Sequence, residues 1–327
     1  MSQLLRRKIA ELTLTEGKLE TIALPRNYAI RSIILKLAGS ITIGSGTTSG
    51  TPKDSNPLQI LGTLEVRREG KDTLFRLPAD IAHRLNHIFY GTRPDIVSLS
   101  SGGAQTDTAV RGSVVIPFEV LKGISPIDTL IKAGGLSSLD LLINVGKASD
   151  CVEGGDRPVS VGNTPFTLIV ETLEELGLDN WIFGDMKQYL VSSVEVNASS
   201  DAFQIKPIPV GNEYYAFVLR ARVGNLPSNA VIQRIKLKSG SEVFFDVDAD
   251  TLRFDNKRQF GLETMPDGYY VLMLSNDGLL NSCLDVRKGT GRETLEFELK
   301  VSKQTGTNII DVIALEYIRP QVQIPKK

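Results

Sequence analysis

Apolar residues recur at every second position over much of this chain. In Leu295-Glu296-Phe297-Glu298-Leu299-Lys300-Val301 the alternation puts Leu, Phe, Leu and Val on one face and charge on the other, as in a strand with one face in a core. Phe217 to Val223, Ile232 to Lys238, Leu64 to Arg67 and Val194 to Val196 follow the same rule, so strands are expected along the whole length, each half-buried. Turn signals separate them: Arg68-Glu69-Gly70-Lys71-Asp72, Met265-Pro266-Asp267-Gly268, Ser275-Asn276-Asp277-Gly278 and Lys288-Gly289-Thr290-Gly291. The pattern predicts a mainly β protein rather than an alternating β/α one.

Helical signals are few. Pro78 to Tyr90 repeats Ile81, Leu85, Ile88 and Phe89 at helical spacing and sets His83 and His87 on another, half-exposed face. Ser125 to Gly134 has a Ser cap, a Pro at the first helical position and a terminal Gly, and predicts a short helix. Glu171 to Leu190, with Glu174, Glu175, Trp181, Met186 and Tyr189, reads as helix or compact connector rather than sheet. Arg6, Arg7 and Lys8, flanked by Leu4, Leu5, Ile9 and Leu12, predict a short basic amphipathic helix that touches an anionic membrane surface or a neighbouring subunit.

The chain also repeats itself. Leu24 to Lys36 and Leu226 to Lys238 agree without a gap at Leu, Pro, Asn, Ile, Ile, Leu and Lys. Further landmarks follow in the same order: Ala79-Asp80 and Ala249-Asp250, Phe89-Tyr90-Gly91 and Phe260-Gly261, then the apolar runs Gly112 to Phe118 and Gly268 to Leu274. Leu139 to Val145 matches Leu295 to Val301, and Thr164 to Glu174 matches Thr307 to Glu316. Each unit holds enough short strands for a β-sandwich or jelly roll. The long excursions and the lack of a Cys, Trp, Cys pattern favour the jelly roll over an immunoglobulin-like sandwich. The expected fold is therefore mainly β, two tandem jelly-roll domains with a few short helices. The expected boundaries are a basic segment at 1–15, a first jelly roll at 16–176, a connector at 177–212, a second jelly roll at 213–320 and a tail at 321–327.

Composition narrows the function. A chain of 327 residues exceeds what one core usually supports, in keeping with two domains. Its 37 Lys and Arg against 38 Asp and Glu give a formal charge of −1, which excludes a generally basic nucleic-acid binder. No apolar run is long enough to span a bilayer as a helix and no secretory signal is evident, so synthesis in a cytoplasm is expected. Cys151 and Cys283 then read as two reduced, partly buried thiols.

Candidate chemistry is sparse. His83 and His87, at i and i+4, could share a metal, but no third ligand is apparent and Arg84 stands where a zinc protease needs Glu. Gly44 to Gly50 lacks the Lys-Ser/Thr ending of a phosphate loop and reads as a mobile surface loop; Ser100 to Ala104 and Cys151 to Asp156 read as exposed loop tips. Asp246, Asp248 and Asp250 alternate as on a solvated edge. No catalytic residue, cofactor or metal is expected, and the chain is not expected to be an enzyme. The rival is a tandem β-sandwich adhesion or carbohydrate-binding protein, for which a single Trp offers little aromatic platform.

The duplicated Leu-Pro-x-Asn strand unit, the paired β domains and the absence of a catalytic cluster resemble the double jelly-roll major capsid proteins of tailless icosahedral viruses. The likeness is greatest to those of internal-membrane phages such as the Flavobacterium-infecting lipid-containing phage, and it covers most of the chain. It implies a structural protein of the virion capsid that forms homotrimers, each a pseudo-hexagonal tile of six barrels. It also implies contacts with neighbouring capsomers, with penton or minor capsid proteins and with an internal lipid membrane, and none directly with nucleic acid. Arg6, Arg7 and Lys8 would suit the membrane side, and the loops Gly44 to Pro57 and Ser98 to Arg111 the outer surface.

Overall fold

The computed structural model describes residues 3–91, 94–120, 125–178, 183–275, 278–292 and 294–320. Sixteen principal strands carry the architecture. The first eight are β1 (Gln3–Thr13), β2 (Leu19–Ala23), β3 (Ala29–Ile43), β4 (Thr63–Arg68), β5 (Asp72–Pro78), β6 (Gln105–Pro117), β7 (Leu139–Asn144) and β8 (Thr167–Leu176). The second eight are β9 (Asp185–Glu195), β10 (Ser200–Ile205), β11 (Glu213–Val223), β12 (Ile232–Ser239), β13 (Glu242–Asp248), β14 (Tyr269–Met273), β15 (Leu295–Val301) and β16 (Asn308–Ile318). Helix α1 (Ala79–Tyr90) follows β5, and α2 (Ala249–Phe260) follows β13.

In the first set β1-β8-β3-β6 form one antiparallel sheet and β2-β7-β4-β5 the other. The second set repeats this as β9-β16-β11-β14 and β10-β15-β12-β13. This interleaving, in which strands distant in sequence become neighbours, is the jelly roll, and it occurs twice. The barrels join where β9 lies parallel to β5, Gln188 opposite Phe75 and Tyr189 opposite Arg76. One sheet of the first barrel thus continues into one sheet of the second.

The two helices share more than length. Each starts at an Ala-Asp pair and ends at a glycine whose positive φ, 75° at Gly91 and 66° at Gly261, lets the chain leave the helix in the left-handed region. The side chain of Asn86 accepts from the Val115 N–H and donates to the Val115 carbonyl, both at 2.8 Å; Asn256 does the same to Val271, both at 2.8 Å. The later sequence landmarks thus mark equivalent elements. The Leu24 to Lys36 match does not, because that run enters β3 whereas Leu226 to Lys238 enters β12. Val115 lies opposite Ile34 and Val271 opposite Val218, so the counterpart of β3 is β11.

Several local expectations are corrected. The N-terminal basic segment is strand β1, not an amphipathic helix, because its pairing with β8 satisfies the backbone and alternate side chains face outward. Glu171 to Leu190 supplies the ends of β8 and β9 rather than a helix, and the expected connector 177–212 carries β9 and β10. Trp181 lies outside the described residues, as does the 321–327 tail. Ser125 to Gly134 forms only a 3₁₀ turn at Pro126–Thr129 before a short strand, Ile131–Lys132; Ser125 makes no side-chain cap bond. The stretch from Ser98 to Arg111 is strand from Gln105 onward.

Strand β11 departs furthest from the half-buried pattern. Tyr214, Phe217, Leu219 and Ala221 enter the core of the second barrel, whereas Tyr215, Ala216 and Val218 belong to the core that fills the first. Both faces of this sheet are covered, one by its own barrel and one by its neighbour, so alternation gives way to a continuous apolar run.

Candidate functional site

The residues singled out for chemistry do not converge. His83 is fully buried on α1, not half-exposed, while His87 is half-buried and lines a cleft between the barrels. No group of three or more His, Cys, Asp or Glu among the described residues could hold a metal ion. The cleft, about 730 Å³, is lined by Asp54, Arg84, His87, Leu99, Pro227 and Asp267 among others. The Arg84 guanidinium grips Asp54 at its floor, with Nε 2.7 Å from Oδ2. Burial alone would lower the pKa of Arg84, but the Asp54 carboxylate overcomes it and raises it.

The Gly-rich loop is tethered. Asp156 accepts from the Thr47 hydroxyl at 2.5 Å and from the Thr47 and Thr48 amides at 3.1 and 2.8 Å, and the Thr47 hydroxyl and these amides hold its carboxyl down at about 2. Cys151, in the other expected loop tip, is buried, and burial pushes its thiol well up. Asp246 accepts from Arg234 Nε at 2.7 Å, and Asp250 is exposed in the first turn of α2.

Strand edges and sheet faces are what remain. Strand β1 ends its sheet, with a bulge between Lys8 and Ala10. Arg6 Nε donates to Glu171 Oε2 at 2.7 Å, and Lys36 reaches Glu171 Oε1 at 2.8 Å from the other side, so Lys36 and Arg6 hold the Glu171 carboxyl below its usual range. Arg7 is bidentate on the buried Glu174, at 3.0 and 2.5 Å, and stands 5.8 Å from the centre of the Tyr28 ring. Lys8 pairs with Glu11. Arg7 is thus spent on its own barrel, whereas the Arg6 and Lys8 side chains stay 53% exposed. At the far end of the molecule β13 ends its own sheet and carries Glu242, Asp246 and Asp248.

The seam between the barrels is the most developed feature of the molecule, and period-two alternation does not announce it. Helix α1 packs on the outer face of β9-β16-β11-β14, where Arg220 donates to Asp80 at 2.9 Å, each side chain 8% exposed, and lies 3.8 Å from Asp311. Burial alone would lower the pKa of Arg220, but Tyr269, Asp80 and Asp311 around it raise it. Phe89 meets Phe260 edge-on at 5.3 Å, Gln188 donates to the Pro117 carbonyl at 3.0 Å, and Arg68 forks onto Asp185 at 3.0 and 2.8 Å. A signal was available: Asp80 and Arg220 are charged residues inside otherwise apolar runs, and a buried charge requires a partner.

No family model matches the chain, and no curated protein matches it. Solved structures do. The major capsid protein of Sulfolobus Turreted Icosahedral Virus superposes with a TM-score of 0.75 at 18% identity, covering 97% of each chain. The major capsid protein P2 of bacteriophage PM2 gives 0.64 at 12% identity over 99% of each chain. The Faustovirus major capsid protein gives 0.63 at 8% identity over 98% of this chain and 91% of its own. The described residues have the double jelly-roll fold of these viral proteins.

Proposed function

We propose that the chain is a structural major capsid protein of an icosahedral virion, with the capsid of the virion as its location. One observation carries the reading: two jelly rolls of the same strand order stand side by side, locked along a buried seam, over the full length shared with viral capsid proteins. A rigid pair of like barrels presents two similar outer profiles, and three such pairs around an axis make a tile with six-fold outline and three-fold symmetry. One gene product can then fill the hexagonal positions of a shell as a homotrimer, touching neighbouring capsomers, penton or minor capsid proteins and an internal membrane. The balanced charge suits a shell that does not bind the genome directly.

Sizing followed by negative-stain electron microscopy of the purified protein tests this. Six-lobed discs of three chains, or patches of hexagonal lattice, are expected. Monomers at high concentration, or fibres without six-lobed units, would overturn the reading.

A further inference from the structure

The seam inside one chain has three parts, and each has an uncovered counterpart elsewhere on the same chain. Within the chain, β5 lies beside β9, Ile81, Leu85 and Ile88 of α1 share one core cluster with Tyr215, Ala216 and Val218 from the outward side of β11, and Asp80 meets Arg220. The corresponding elements of the opposite barrels are β13, α2, β1 and the outer face of β1-β8-β3-β6. Both β13 and β1 are terminal strands.

The Asn clamps and the strand bulges fix the correspondence residue by residue. Asn86 holds Val115 and Asn256 holds Val271. Across the sheets Val115, Ile34, Glu171 and Lys8 form one row, and Val271, Val218, Ile313 and Leu190 the equivalent row. The bulges after Lys8 and after Leu190 coincide in this alignment. Two residues further along β3 and β11 stand Lys36 and Arg220, and the second residues of α1 and α2 are Asp80 and Asp250. The counterpart of the buried Asp80–Arg220 pair is therefore Asp250 and Lys36, a carboxylate and a cation again.

These two groups are far apart in one chain but ready for a second. Asp250 is exposed and forms no ion pair with a described residue, and the Lys36 side chain is 44% exposed. Phe254, at the α2 position that Arg84 occupies on α1, is 66% exposed, unusual for a Phe on a helix. The face it would meet holds half-buried Ile34, Val115 and Ile169. The strand edges are complementary as well: β1 offers Arg6 and Lys8, and β13 offers Glu242, Asp246 and Asp248. An open eleven-residue edge such as β1 invites pairing.

We propose that α2 and β13 of one copy dock on the β1 edge and the outer β1-β8-β3-β6 face of the next, with Asp250 on Lys36 and Phe254 over Ile34, Val115 and Ile169. The contact between copies repeats the seam within the chain. The proposal rests on the capsomer reading above and assigns Arg6 and Lys8 to a neighbouring copy rather than to lipid.

Sedimentation velocity across a concentration series tests it with the full chain and the variants Asp250→Lys, Lys36→Glu, their combination, and Phe254→Ser. Each single variant is expected to raise the trimer dissociation constant about tenfold or more, and the charge swap to recover most of the loss. Lys36 also pairs with Glu171, so Asp250→Lys and Phe254→Ser, on an exposed helix face, carry the test should Lys36→Glu perturb its own barrel. A wild-type trimer indifferent to Asp250→Lys and Phe254→Ser overturns the proposal alone. A wild-type chain that stays monomeric overturns both the proposal and the capsomer reading.

Discussion

Asn86 and Asn256 show how a single amide can fix a helix to a sheet. Each uses its donor and its acceptor on one backbone unit, so the Val115 and Val271 peptide groups, which face helices rather than strands, are satisfied. Replacing either Asn by Ala removes both partners at once and leaves a buried N–H and C=O unmatched, at a cost of about 1–3 kcal/mol. Denaturant unfolding of Asn86→Ala and Asn256→Ala should show lowered midpoints with little change of slope. Asn→Asp at either site should also destabilise, since a carboxylate accepts from the N–H but repels the carbonyl. Midpoints equal to wild type would mean that these clamps do not hold the helices. The sequence carried this signal in the open, as an Asn five residues before the terminal glycine of each helix, and only the fold reveals why it recurs.

Among elements, the seam decides whether the barrels act as one body. The Asp80–Arg220 pair lies in it almost without solvent, beside Asp311 and Tyr269. Such a pair need not add net stability, but breaking it strands charge: Arg220→Met should cost about 3–5 kcal/mol and leave Asp80 without its cation, while Asp311 keeps Arg222 and Ser193. Calorimetry should then show a lower melting temperature and a broadened or split transition as the barrels uncouple; an unchanged single transition would mean that the apolar contacts alone couple them. The same element shows what sequence pattern could and could not convey. Period-two alternation located β4, β11, β12, β15 and the end of β9, because barrel interiors need one apolar face. It misjudged the faces of β11, where Arg220 looks like a solvent-side residue and is a seam residue instead. It failed on β1 and on Glu171 to Leu190 for a related reason. Arg6, Arg7, Glu171 and Glu174 suggest a helix surface locally, yet their partners lie on the opposing strand, more than a hundred residues away. Local periodicity reports burial by a chain's neighbours in sequence; edges and seams are set by neighbours in space.

For the whole molecule, stability should be bounded on both sides by groups whose folded environment opposes titration. Arg287 holds Asp285 at about 2, the Thr47 and Thr48 donors hold Asp156 at about 2, Lys36 and Arg6 keep Glu171 low, and Lys238 and Lys236 keep Glu298 low. Each of these carboxyls binds its proton less readily folded than unfolded. Their contribution is complete above the unfolded carboxylate range, near pH 4, and is lost as pH falls through the folded values toward 2. The tyrosines act with the opposite sign. Burial pushes Tyr270 up to about 12 and Tyr214, Tyr215 and Tyr269 higher still. Their neutral form is favoured in the fold, so that contribution is complete below the unfolded tyrosine value, near 10, and is lost as pH rises beyond it. Melting temperature should therefore be nearly level from about pH 5 to 9, fall steadily below 4 and fall again above 10. Tyrosinate absorbance for the buried rings should appear only together with unfolding. A melting temperature that keeps rising from pH 4 to pH 2 would contradict the carboxylate assignments, and reversible tyrosinate formation near pH 10 in the intact fold would contradict the packing of β11 and β14 between the two barrels.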